Sequence, residues 1–286
     1  MRCAMLLAGR TALLLGLIFS SRICAQDVHA SAARPTIPFE LRSDFLIVVN
    51  GQVGNLEGLK FVLDTGASYT VIDRKVADKL RLQRHPGKIT NFDREVPVEW
   101  ADVPQLRVGP IRTGATRVMV AKLGEYSEFA ENVDGIIGLD LLSRSKKLLI
   151  DYEKQTISWE LGDDGAGGGS SPTYFSVAFV VQGFPMRLVL DTGLQGILLY
   201  KDKLRKGLPE LRTEGEAIPT GLGRLQTTQV RLPGVRLLGP ETVATVFLMD
   251  GPETGDPPGV DGYLGIVSLN AKRVEFDFAA RLLRWQ

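Results

Sequence analysis

Cysteine is nearly missing from this chain, and its two occurrences are informative. Cys3 and Cys24 both lie within the first 25 residues. That stretch reads as a targeting segment: residues 1–10 carry two arginines and no acid, residues 11–20 are apolar, and small residues suited to a cut follow at Ala25 and Ala30. The apolar run falls well short of the ~20 residues that span a bilayer. The expectation is a cleaved signal peptide, residues 1–25 with 30 as the other cut, and an exported protein, periplasmic or secreted. What remains has no disulfide, no thiol nucleophile and no cysteine metal site.

Histidine is equally scarce, with two occurrences. His29 sits near the cleavage region, and His85, beside Pro86-Gly87, reads as a loop residue. No Ser/His/Asp triad and no histidine-based metal site can be assembled from two such residues. No Gly-Lys-Ser/Thr element suggests a phosphate loop. Charge of one sign is missing too: 34 basic residues face 33 acidic ones, which excludes electrostatic recruitment to nucleic acid or an anionic membrane. Aromatics are few, and Trp100, Trp159 and Trp285 read as packing residues. No metal and no cofactor is expected.

Against this background, two stretches stand out: Phe61-Val-Leu-Asp-Thr-Gly66 and Leu188-Val-Leu-Asp-Thr-Gly193. Average composition predicts roughly one Asp-Thr-Gly per twenty chains of this length. Two behind the same Val-Leu pair are not accidental. Asp64 and Asp191 stand 127 residues apart (191 − 64), and the same spacing relates Thr70-Val-Ile72 to Ile197-Leu-Leu199 and Val133-Asp-Gly-Ile-Ile-Gly138 to Val260-Asp-Gly-Tyr-Leu-Gly265. The final stretch 273–285 repeats the hairpin pattern of 147–159. Landmarks in one register mean an internal duplication.

The layout follows. Residues 26–42 form an extended lead, 43–161 a first lobe, 162–172 a linker with five glycines, and 173–286 a second lobe. Apolar, β-branched runs bounded by Asn-Gly and other turn residues dominate both lobes, so the class is all-β. Short helices are expected at 74–82, 139–143 and 201–206. Val96, Val98, Val103, Leu106 and Val108 are expected to face inward, and Asp134 and Asp261 to be turn residues.

A carboxylate ending a buried strand is unfavourable unless satisfied or used. If the lobes pack as mirrored copies, the two strand ends meet, and two adjacent carboxylates share one proton and titrate as a pair. One can then take a proton from water while the other donates to a carbonyl. Here the sequence resembles the pepsin and retropepsin superfamily of aspartic peptidases, through Asp64-Thr-Gly66 with Ile136-Ile-Gly138 and Asp191-Thr-Gly193 with Tyr263-Leu-Gly265. The resemblance implies a bilobal acid-protease fold of two homologous, barrel-like β lobes with the active site between them. It implies Asp64 and Asp191 as the catalytic pair, Thr65 and Thr192 bonding across the joint beside Gly66 and Gly193, and Gly138 and Gly265 backing the loops. Peptide or protein is the implied substrate, and a fused pair of lobes implies a monomer. Short lobes and Ala67 look more like the retroviral branch.

Two departures matter. Pepsin-like chains carry Ser or Thr directly after Asp-Thr-Gly; here Ala67 and Leu194 stand there, with Ser68 as a partial substitute in lobe one and Gln195 its counterpart. Fewer donors leave the pair's pKa less depressed, so activity is expected at mildly acidic to near-neutral pH. Leu194-Gln195 also fits the alternative reading, a non-catalytic bilobal homologue that binds peptide or protein. The pepsin-type flap tyrosine is missing between residues 82 and 108; Gly87 and Gly221-Leu-Gly223 are the candidate flap tips.

Overall fold

The computed structural model describes residues 34–91, 94–123, 132–162, 174–204, 214–220, 223–237, 239–251 and 259–286. The targeting segment, the Gly-rich linker from residue 163 onward, and Gly221-Leu222 of the candidate second flap lie outside the described residues. The fold is all-β and bilobal: a ten-stranded sheet in the first lobe, a seven-stranded sheet in the second, and a five-stranded sheet between them. Among the described residues no helix is long and apolar enough to cross a membrane.

Each lobe is built around its Asp-Thr-Gly strand. Leu56–Leu63 ends in Phe61, Val62 and Leu63, all buried, and Phe184–Asp191 ends in Leu188, Val189 and Leu190, each 0% exposed. Such unbroken apolar runs suit a strand covered on both faces, with parallel as well as antiparallel neighbours. Gly135–Ile137 lies parallel to the first of these, with Ile136 opposite Val62, and antiparallel to Val71–Asp73. Gly262–Gly265 repeats both pairings, with Tyr263 opposite Val189 and Leu198. The duplicated sequence landmarks therefore occupy equivalent ladder positions.

Asp134 and Asp261 do more than turn the chain. Asp134 Oδ2 accepts from the Lys60 N–H at 2.8 Å, its own N–H donates to Lys60 O, and its carbonyl accepts from Asp73 N–H. Asp261 does the same with Arg187, at 2.7 Å, and with Tyr200. In both lobes this residue ties the Asp-Thr-Gly strand to the strand after the loop.

The inter-lobe sheet orders Thr36–Pro38, Thr156–Leu161, Ser145–Asp151, Arg273–Asp277 and Leu282–Trp285. Its central pairing, Leu149 opposite Glu275, joins the two lobes. Part of the expected extended lead is thus paired strand: Thr36–Pro38 lies on this sheet, and Glu40–Arg42 on the first lobe's Leu46–Val53. Its isolated polar residues hide the partners that lie far along the chain.

Other expectations are adjusted locally. The first helix is Arg74–Lys79, capped by Asp73, whose Oδ1 accepts from Lys75 N–H. The second is Leu139–Leu142, and the 201–206 stretch supplies a single 3-10 turn at Lys201–Lys203. Four of the five inward valines and leucines are buried, while Val96 is half-buried. His85 lies exposed within the strand Arg84–Asn91, opposite Trp100, and not in a loop. Gly87 is no flap tip: it sits mid-strand opposite Val98, where a Cβ would lie 2.4 Å from Trp100 Nε1. The hairpin closes further on, between Asn91 and Arg94. In lobe two the matching hairpin closes between Thr220 and Gly223.

Candidate active site

The two Asp-Thr-Gly loops meet at the lobe joint. Thr65 N–H donates to Thr192 Oγ1 at 3.0 Å, and Thr192 N–H to Thr65 Oγ1 at 3.2 Å. Each hydroxyl then donates onward across the joint, Thr65 to Leu190 O at 2.9 Å and Thr192 to Leu63 O at 2.7 Å. Both threonines are almost wholly buried. A buried hydroxyl needs partners, and here each supplies and receives one bond from the opposite lobe. The partners are 127 residues apart, so the duplication is expressed as a local two-fold axis.

This grip sets the aspartates side by side, close enough for their carboxyls to interact directly. The glycines permit the approach. A Cβ on Gly66 would fall 2.4 Å from Asp191 Cγ, and one on Gly193 2.7 Å from Asp64 Oδ2. Each loop's third residue lies directly against the other loop's acid, which only glycine allows. Gly138 and Gly265 lie close behind the loops: a Cβ there would fall 2.6 Å from Tyr69 O and 2.3 Å from Leu194 O respectively. Leu139 N–H donates to Ala67 O at 2.8 Å in lobe one, and Gly265 N–H to Gly196 O at 2.7 Å in lobe two.

The two acids are not equivalent. Asp64 Oδ1 accepts from Gly66 N–H at 2.8 Å and Ala67 N–H at 3.0 Å; Asp191 Oδ1 accepts from Gly193 N–H at 2.6 Å. Burial raises the Asp64 carboxyl above its ordinary range, and the bonds from Asp191, Gly66 and Ala67 pull it part of the way back. Burial raises Asp191 well above that range, and the neighbouring Asp64 charge adds to it, with the Gly193 N–H opposing. The two carboxyls titrate as a pair, and Asp64, with two N–H donors against one on Asp191, is the better supported of the two to carry the charge.

Ser68 is a correction. It was expected to serve the Asp64 carboxylate, but its hydroxyl bonds to the phenol of Tyr174 in the second lobe; backbone N–H groups serve Asp64 instead. Tyr174 was invisible in sequence, being a lone tyrosine at the end of the linker. Also unforeseen is a pair behind the first loop: Thr70 Oγ1 donates to Asp140 Oδ1 at 2.6 Å and accepts from Gly138 N–H. Burial raises the Asp140 carboxyl, with the Thr70 hydroxyl opposing. The lobe-two counterparts, Ile197 and Val267, are apolar. Among the described residues no cluster of three His, Cys, Asp or Glu is arranged to hold a metal.

Comparison with known families adds to this geometry. The aspartyl protease family profile matches residues 48–141, the segment that contains Asp64-Thr-Gly66 and Ile136-Ile-Gly138. Among solved structures, a retropepsin-like aspartic protease from Rickettsia conorii is similar at 22% identity, over 43% of this chain and 89% of its own, with a TM-score of 0.33. A search of curated proteins finds no match. The matched segment stops short of Asp191; the second loop joins it through the duplication and the threonine grip.

Proposed function

We propose that this chain is an exported, monomeric aspartic endopeptidase, hydrolysing peptide bonds with a water activated between Asp64 and Asp191. The observation that carries this reading is the meeting of the two Asp-Thr-Gly loops at the lobe joint, gripped by Thr65 and Thr192, with each glycine against the other loop's aspartate. Export rests on the basic and apolar N-terminus, and the monomer on the two loops being supplied by one chain.

The chemistry follows from the asymmetry. Asp64, ionised, takes a proton from water as the water oxygen bonds to the peptide carbonyl carbon. Asp191 gives its proton to the carbonyl oxygen, and a neutral gem-diol forms. Asp64 then passes its proton to the amide nitrogen while Asp191 recovers one from a diol hydroxyl. The C–N bond breaks, acid and amine leave, and the pair again holds one proton. No covalent intermediate is needed.

The test is cleavage of peptides by the mature chain from about pH 3 to pH 8, spanning the carboxylate range and beyond, with Asp64→Asn and Asp191→Asn beside it. Cleavage lost in both variants is the expected result. Cleavage that survives either substitution overturns the assignment. Binding without turnover selects the non-catalytic alternative, which Leu194-Gln195 after the second Asp-Thr-Gly favours.

A further inference from the structure

The threonine grip obeys the two-fold axis, but a second tie across the joint does not. Ser68 Oγ and Tyr174 OH are hydrogen-bonded. At the repeat spacing their counterparts are Gln195 and Ile47, which have no hydroxyl, so the sequence permits no second copy of this bond. Tyr174 is well anchored. It packs against the second lobe's apolar core, and the next residue, Phe175, accepts the Leu190 N–H at 2.8 Å, one position before Asp191. Ser68 lies one position beyond Ala67, whose N–H donates to Asp64 Oδ1. Ala67 has no hydroxyl to hold that carboxylate itself, so the aim of its N–H depends on how the outer half of the loop is held. Behind the loop, Asp140 N–H donates to Ser68 O at 3.2 Å. In front, the Tyr174 phenol holds the side chain.

We propose that Tyr174 is a positioning residue: through Ser68 it fixes the outer half of the first catalytic loop to the second lobe and keeps the Ala67 N–H on Asp64. This rests on the peptidase reading above. It makes lobe two a support for an N–H that holds the Asp64 carboxylate, and it places in two residues the role that a single hydroxyl after Asp-Thr-Gly plays in pepsin-like chains.

Steady-state kinetics of Tyr174→Phe, Ser68→Ala and the double variant test it, with Ser158→Ala as control. Ser158 belongs to another inter-strand hydroxyl pair, with Thr36 at 2.8 Å, exposed and remote from the loops. Loss of one hydrogen bond predicts a kcat lower by about three- to tenfold in each single variant, with KM within about twofold. The double variant falls no further, because both changes remove one interaction, and the control matches the parent. Parental kcat in Tyr174→Phe, or losses that multiply in the double variant, overturn the proposal. If the parent chain cleaves no peptide, or cleavage survives Asp64→Asn, it is the peptidase reading that fails. The tie is then read by amide hydrogen exchange over residues 64–70. Exchange faster in Tyr174→Phe, with residues 191–196 unchanged, supports it, and unaltered exchange overturns it.

Discussion

Asp191 is buried, at 9% exposed, and lies against Asp64, so its native pKa stands well above the ~3.9 of an unfolded aspartate. A raised native value means that the folded state holds the proton more tightly than the unfolded one. Below about pH 4 both states are protonated and the contribution favours the fold; as pH rises through the native value it is lost. Asp191→Asn is therefore expected to be more stable than the parent at pH 7, the gain vanishing toward pH 4; urea melts at the two pH values measure it, and a parent equal to the variant at pH 7 contradicts it. The glycines give a second prediction at this scale. Gly66→Ala puts a methyl 2.4 Å from Asp191 Cγ, and the carboxyl must move. Misplacement by about 1 Å lowers turnover on the order of 100-fold, so that loss is expected in a peptide assay of a chain whose circular dichroism is unchanged.

The loops act as paired elements. Thr192→Val keeps the shape of the side chain but strands the Thr65 N–H and the Leu63 carbonyl, which now bond to its hydroxyl at 3.0 and 2.7 Å. Each buried group left without a partner costs about 1–3 kcal/mol, so a loss of that order is expected in denaturant unfolding. Thr65→Val should lose a similar amount, since the grip is symmetric. Unequal losses would mean that one lobe tolerates the gap by letting water in. The Asp134 and Asp261 brackets work in the same way one strand away, fixing the start of each backing strand to the catalytic strand. The geometry of the paired loops is thus held by elements that repeat, and the Ser68–Tyr174 bond is one of the contacts that differentiate them.

Over the whole molecule, the lobes are joined by the threonine grip and by the five-stranded sheet. The sheet's joint is reinforced by charge: Arg34 reaches Glu275 of the second lobe at 3.0 Å and Glu160 of the first at 3.2 Å. Glu275 is 4% exposed and keeps Arg284 at 2.9 Å when Arg34 is removed. Arg34→Ala is therefore expected to destabilise the chain by about 1–3 kcal/mol, below the usual cost of leaving a buried charge alone; denaturant melts check it. The pH–rate profile also belongs to the whole cleft. Burial between the lobes raises both carboxyls, so the singly protonated pair persists above the ordinary carboxylate range. Peak activity is expected between mildly acidic and near-neutral pH. A peak at or below about pH 3, under even the unperturbed carboxylate range, would contradict it.

What local pattern controls was legible before any coordinates. The apolar run ending in Asp-Thr-Gly needs burial on both faces, and its recurrence at one spacing needs two similar lobes; the all-β class follows from short-range chemistry repeated, while the grip threonines and the backing glycines come from the resemblance to aspartic peptidases. What the fold alone decided are contacts between residues remote in sequence. That Ser68 meets Tyr174 and not Asp64, that Gly87 lies beneath Trp100 within a strand, and that residues 36–38 are a strand of the joint all depend on which distant surface is brought alongside. A polar side chain takes whatever partner lies within about 3 Å once the backbone is placed, and no periodicity along the chain encodes that choice.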